Sequence, residues 1–380
     1  MVLRNSVKSL QVMLNEFVLH TKKDFAVTAS AFTQARQKLK HTAFLELNDA
    51  IVTKYYEEPN IKRLHGFRLT AFDASIINLP NNKDLKVIFG SRAIGNHTDQ
   101  ELGDYTRVTF EACYDVLNNI AIKCLLGKGD AYEADLATEM LGDLNSDDLA
   151  IFDRGYACYP LIANLIAKQQ PFIIRCPKVF FKEVEEIFCH HSCESKVVTL
   201  KVPAKHAKKI RLANLPLTVT VRLVRVMLPS EAIEVLMTSL INDDLKVGDF
   251  QNIYNLRWSV ETFFGKLKGR LALENFTGTS LEAVLQDFWS TIFMSNLETI
   301  LTEDMQGELN NKNTKARLAK TINKAISFNA IKNMAFEIFS KEQNPDVVLA
   351  KLTQLFAMNA IVKRPERKVK RCKISDTRSL

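Results

Sequence analysis

Tyr254, Arg257, Glu261 and Lys268 lie within YNLRWSVETFFGKLKGRLAL, residues 254–273. The stretch reads as a helix, and at 3.6 residues per turn the four positions return to one side of it within an arc of ~60°. One face then carries a carboxylate flanked by two cations and a phenol. A solvated face can carry the same set, so its meaning depends on the other carboxylates. Asp73 lies inside the β-prone FRLTAFDASIINL (67–79), where an ionised carboxylate is costly unless paired or bound to a metal. Asp153 ends the apolar strand of LAIFDRGY (149–156), which breaks at Gly155. Strand C-terminal ends in open α/β sheets collect ligands and reactive groups.

Two Asp on neighbouring strands and a Glu on a helix would form an all-oxygen cluster suited to Mg²⁺, with Mn²⁺ as its substitute. Two such ions about 4 Å apart activate a water or a 3′-hydroxyl and stabilise the leaving oxygen of a phosphodiester. Arg257, by its fork, and Lys268, as a point charge, would then hold phosphates. Tyr254 would donate to a phosphate or stack on a base. On residue types alone, three unrelated structural carboxylates account for the pattern equally well.

The elements that must position these groups follow from periodicity. Helices are expected over residues 6–19, over SAFTQARQKLKH with Ser30 as N-cap and Phe32, Ala35 and Leu39 inward, and over 42–56. Arg36 and Lys38, exposed on the second of these, make the three helices a candidate DNA-binding unit; a helical cap on the next domain is the equal alternative. Residues 1–70 carry 11 Lys and Arg against 6 Asp and Glu. Next come the Asp73 strand, a hairpin over 104–127 turning at Asn118–Asn119, and a helix through about 144 opened by Asp130 and Glu133. The Asp153 strand, a helix over 159–168, the strand PFIIRC and a helix over 178–188 complete a mixed α/β sheet with helices on its faces. Residues 195–240 turn to strands, a β-rich insertion within about 177–247, and the chain is helical again from 280 to about 358. The expected domains are 1–65 (helical), 66–300 (catalytic, with the insertion) and 301–380 (helical, with a basic tail).

The 380 residues are 47% hydrophobic and 25% charged with a net charge of +8, an ordinary globular composition that leans toward a polyanionic partner. Seven scattered cysteines suit reduced thiols, and no apolar run is long enough for a membrane span, so a cytoplasmic protein is expected. Cys189, His190, His191 and Cys193 (CHHSC) invite a zinc reading, but no second ligand pair exists and a surface turn is expected. The Met and Phe residues of 281–301 read as helix core. Residues 361–380, with 8 basic against 2 acidic side chains, read as a DNA clamp or a solvated end.

The order and spacing of Tyr254, Arg257, Glu261 and Lys268, with AFDAS around Asp73 and FDRGY around Asp153, resemble the Y-R-E-K branch of bacterial insertion-sequence DDE transposases. SAFTQARQKL resembles their N-terminal segment, and the resemblance spans roughly residues 28–300. It implies a ribonuclease-H-like core with a β-rich insertion, Asp73, Asp153 and Glu261 as catalytic metal ligands for Mg²⁺, and Tyr254, Arg257 and Lys268 on DNA. It further implies double-stranded DNA as partner, a homodimer in the synaptic complex, inverted-repeat binding, strand cleavage and strand transfer. Relatives that pass through a DNA hairpin hold a flipped base with a tryptophan in the insertion. Residues 177–253 hold none, so Phe180 or Phe181 would have to serve. A nuclease that cuts without joining and an inactive DNA-binding core are the rival readings.

Overall fold

The structure, a computed structural model, describes residues 9–21, 26–95, 101–189, 193–228, 230–242, 245–312, 318–339 and 344–362. The chain divides into two compact units, residues 1–296 and 297–380.

In the first unit, α1 (Leu10–Thr21), α2 (Ala29–Lys38) and α3 (Thr42–Tyr56) precede β1 (Arg68–Leu79). Then come α4 (Lys83–Phe89), β2 (Arg92–Gly95), β3 (Glu101–Asp115), β4 (Ile120–Lys128), α5 (Glu133–Met140), β5 (Asp148–Phe152), α6 (Tyr159–Ala167) and β6 (Phe172–Arg175). The segment that follows holds α7 (Lys182–Cys189), β7 (Ser195–Lys201), α8 (Ala204–Leu212), β8 (Thr218–Met227) and β9 (Ile233–Thr238). Helices α9 (Val247–Asn255), α10 (Trp258–Gly265) and the start of α11 (Leu281–Lys312) close the unit.

Nine strands form one sheet in the order β2-β3-β1-β5-β6-β9-β8-β7, with β4 also paired to β3. Within it, β3 runs antiparallel to both β4 and β1, while β5 and β6 run parallel to β1. The result is the mixed α/β sheet with flanking helices that the sequence predicts. The β-rich insertion extends this same sheet, because β9 pairs antiparallel with β6. Helix α8 within the insertion has no counterpart among the expected elements.

Burial explains why β1 and β5 stop being inert where they do. The first five residues of β1 and all of β5 are buried. Phe72 and Phe152 pair in register and their rings stack 4.7 Å apart. Full burial of such a side chain is worth roughly 1.5–3 kcal/mol, so this layer fixes the two strands against each other. Their next residues, Asp73 and Asp153, emerge together from the apolar zone.

Several element boundaries differ from the sequence-based reading. Helix α2 is capped by Thr28, whose hydroxyl accepts the Ala31 N–H, rather than by Ser30, and none of its residues is buried. Helix α5 starts at Glu133 behind Tyr132, without a side-chain cap. The helix expected over 254–273 is three pieces: α9 ends at Asn255, α10 begins at Trp258, and Lys266–Arg270 is π-helical. At the break the Leu256 and Arg257 N–H groups bond three residues back, to Ile253 and Tyr254, and the Tyr254 and Arg257 side chains are buried there. Neither Pro nor Gly stands there.

In the second unit, the rest of α11, α12 (Lys324–Asn333), α13 (Ala335–Phe339), α14 (Pro345–Met358) and the ribbon of β10 (Lys320–Thr321) with β11 (Ile361–Val362) pack together. Glu298, fully buried, accepts hydrogen bonds from Lys324 and Ser327. The basic tail beyond Val362 and His190–Ser192 of the CHHSC stretch lie outside the described residues. Among the described residues, no helix is long and apolar enough to cross a membrane, and the six cysteines are free thiols.

Candidate active site

Strand register brings the first two carboxylates together, and aromatic packing brings the third. Helix α10 buries Val260, Phe263 and Phe264. Phe263 stacks on Tyr114 of β3 at 4.6 Å, and Phe264 meets Phe110 of β3 edge-on at 5.3 Å. That apolar face leaves Glu261 36% exposed on the side of Asp73.

Arg257 joins the two. Its Nη1 donates to Asp73 Oδ2 at 3.2 Å and its Nη2 to Glu261 Oε1 at 2.9 Å. The guanidinium is 5% exposed, and its buried Nε has no partner among the described residues. Asp153 is held at one oxygen: Oδ1 accepts the Arg154 N–H at 2.5 Å, Arg175 Nε at 2.9 Å and Nη2 at 2.6 Å, and the Tyr254 hydroxyl at 3.3 Å. Both guanidinium groups lie near the Tyr254 ring, Arg175 at 5.9 Å and Arg257 at 6.0 Å from its centroid. Tyr254, Arg257, Asp73, Asp153 and Glu261 therefore converge, as their spacing predicts, although the helix meant to align them is broken.

The environments of the two aspartates differ. Burial pushes the Asp73 carboxyl up to about 6, against the opposing pull of Arg257 and the Ala74 N–H. Burial also opposes ionisation of Asp153, but the Arg154 N–H, Arg175 and Arg257 outweigh it and hold that carboxyl below the usual range. Glu133, at the start of α5, is raised by burial and then by Asp153. A Cβ on Gly155 would come within 3.3 Å of Glu133 Oε2.

The donor set fits a hard divalent cation: three carboxylates, with Asp153 Oδ2 accepting no hydrogen bond from any described residue. Among the described residues, no three acidic, His or Cys side chains surround a single point tightly enough to hold an ion as they stand. Arg257 supplies the positive charge between Asp73 and Glu261.

The remaining expected residues are placed differently. Lys268 points back to the sheet, its Nζ donating to the Ile76 carbonyl at 2.5 Å, three residues beyond Asp73. Arg36 is not the exposed side chain expected on α2. It donates to Gln286 at 2.6 Å, to Asp287 at 2.8 Å and to the Ala283 carbonyl at 3.1 Å, and it also bonds Thr277, so it ties α2 to α11. Lys38 is exposed at the end of α2. Phe180 and Phe181 form an edge-on pair at 4.5 Å and line a cavity of about 530 Å³ with Tyr132, Cys158, Lys205 and His206.

Arg175, Glu234 and the Glu111–Tyr156 pair escaped the sequence reading, and Glu133 figured in it only as part of a helix start. Tyr156 donates to both Glu111 oxygens, at 2.8 and 3.0 Å, beneath the site. For Arg175 a signal existed: it is the one charge in an apolar strand, the feature that made Asp73 conspicuous.

Comparison with known proteins adds the family. No curated protein matches the chain. Among solved structures it is similar to the piggyBac transposase in a synaptic complex with hairpin DNA, at 10% identity and a TM-score of 0.42, covering 76% of this chain. The chain spans 57% of the length of that protein. The family described as "Transposase DDE domain" matches residues 65–297, which begin just before β1 and end after the site-bearing helices. The chain belongs to the transposase DDE domain family.

Proposed function

We propose that this protein is a Mg²⁺-dependent DDE transposase of the Y-R-E-K branch that cuts DNA at the ends of a bacterial insertion sequence and joins them to target DNA. One observation carries the reading: Asp73 and Asp153 emerge side by side from β1 and β5, and Arg257 links Asp73 to Glu261 of α10.

In this reading Asp73, Asp153 and Glu261 are the catalytic carboxylates and hold the metal. When bound, Mg²⁺ supplies an activated oxygen nucleophile and charge to stabilise the leaving oxygen. Arg257 gives up its carboxylate partners and turns its fork to a backbone phosphate, whose geometry the planar guanidinium matches. Tyr254, anchored on Asp153, lines the same position, and Lys268, which bonds the Ile76 carbonyl of β1, is a further contact to the backbone. In the first step water attacks the phosphodiester at the element end, leaving a 3′-hydroxyl and a 5′-phosphate. In the second, that 3′-hydroxyl attacks a target phosphodiester, so one bond forms as one breaks and no energy source is required. Partners are double-stranded DNA and a second copy of the chain in the synaptic complex, in the cytoplasm at the nucleoid. Lys38 is a DNA contact in this scheme; Arg36 contributes by fixing the helix that carries it.

The test is a plasmid carrying the gene's native flanking DNA, incubated with full-length protein and Mg²⁺, with Asp153→Asn as control. Breaks at defined flanking positions and joined products, both absent in the variant, are expected. Breaks without joined products would leave a nuclease. Retention of the flanks on a gel with no cleavage would leave a DNA-binding protein with an inactive core.

A further inference from the structure

Arg175 sits on β6, between the strand that presents Asp153 and the first strand of the insertion's side of the sheet. It reaches both. Nε and Nη2 grip Asp153 Oδ1 at 2.9 and 2.6 Å, while Nη1 donates to Glu234 Oε1 at 2.6 Å. Register explains the second contact. Arg175 pairs with Leu236 on β9, and Glu234 lies two residues along that strand on the same face, a diagonal neighbour within reach of a long side chain. Arg175 is 26% exposed and Glu234 16%, so the pair is largely withdrawn from solvent.

We propose that Arg175, clamped by Glu234, is a positioning residue that fixes the Asp153 carboxylate so that Oδ2 is the oxygen left to bind metal; this rests on the metal-dependent reading above. A carboxylate just beyond the end of its strand has two rotational freedoms to lose. Donors converging on Oδ1 remove them before metal arrives. Partners outside the ligand shell that orient a ligand in this way typically matter about 10–100-fold in metal affinity. Glu234 has a second role. Its charge offsets that of Arg175, so the grip adds orientation without adding net positive charge beside a cation site. The contact also gives β9 a functional reason to continue the sheet rather than form a separate module.

The test measures Mn²⁺ binding to the full chain without DNA, from the electron paramagnetic resonance signal of free Mn²⁺. Arg175→Gln and Arg175→Lys should each weaken binding about tenfold or more. Lysine keeps the charge but loses the two-pronged grip, so failure of lysine to rescue separates geometry from charge. Glu234→Gln should weaken binding in the same direction by less. Retention of flanking DNA in EDTA should stay unchanged in all three. Wild-type Mn²⁺ affinity in Arg175→Lys, tighter binding in Arg175→Gln, or loss of DNA retention in EDTA would each overturn the assignment. If Arg175→Gln does not fold, Arg175→Lys and Glu234→Gln decide alone. An Asp153→Asn arm separates the two proposals: if it leaves Mn²⁺ affinity intact, the metal reading itself falls, whereas weakened binding there with unaffected Arg175 variants removes only the positioning role.

Discussion

Arg257 is the residue on which the site turns, because one guanidinium answers two carboxylates that would otherwise repel each other. Its Nη1 and Nη2 serve Asp73 and Glu261, and truncation would strand both. Arg257→Ala should lower stability by roughly 1–3 kcal/mol, less than for a fully buried pair because Glu261 is 36% exposed. It should also slow end cleavage; a denaturant melt and a cleavage time course read the two effects separately. An unchanged cleavage rate would remove Arg257 from the working site. Glu261→Gln should abolish cleavage while flanking DNA is still retained, since the amide keeps the shape and the Arg257 contact but loses the charge a cation requires. Loss of cleavage and retention together would make Glu261 structural.

Among elements, the alignment of β1 with β5 decides where the two aspartates fall. A buried ion pair sets that alignment at the strands' starts: Arg68 donates Nε to Asp148 Oδ1 at 2.5 Å and Nη2 to Oδ2 at 2.6 Å, and both residues are buried. The guanidinium also lies 4.4 Å from the Tyr56 ring of α3. Removing one partner leaves an uncompensated buried charge, so Arg68→Ala should cost about 3–5 kcal/mol, read as a shift in the denaturation midpoint. A cost below about 1 kcal/mol would mean that the apolar layer of Phe72 and Phe152 alone sets the alignment. Contacts to the same two strands also bracket the break before α10. Beside that tightened turn Tyr254 reaches Asp153 and Arg257 reaches Asp73.

At the scale of the whole molecule, a buried carboxyl under the site gives stability a pH dependence. Burial is the largest cause raising Glu111 well above its ordinary 4.5, reinforced by Glu133 and Asp73 and opposed by the Tyr156 hydrogen bond. The folded chain therefore keeps a proton that the unfolded chain releases once pH passes 4.5. Stability must then fall as pH rises above that value, up to the raised folded value. Glu111→Gln still accepts from Tyr156 but has no proton to lose. Its Tm should exceed that of the wild type by a margin that grows from pH 5 to pH 8, and a margin independent of pH would show that Glu111 ionises normally in the fold.

How much of this was legible beforehand depended on range. The strand around Asp73, the hairpin at Asn118–Asn119 and the short strand before Asp153 could be read because local alternation and turn chemistry write them into consecutive residues. The spacing of Tyr254, Arg257 and Glu261 likewise marked residues that converge, even though the helix assumed to align them is interrupted and Lys268, the fourth of the set, bonds the Ile76 carbonyl instead. The inward turn of Arg36 toward Asp287 could not be read, nor the joining of β9 to β6, nor the clamp from Glu234 through Arg175 to Asp153. Each joins residues far apart in the chain, and a side chain's partner across such a distance is fixed by strand register and helix packing rather than by its neighbours. The sequence by itself determined which residue types stand at which spacing, and the strands that lead up to Asp73 and Asp153. Only the tertiary structure decided which charges meet, because an ion pair is chosen by distances of a few ångströms that no local pattern encodes.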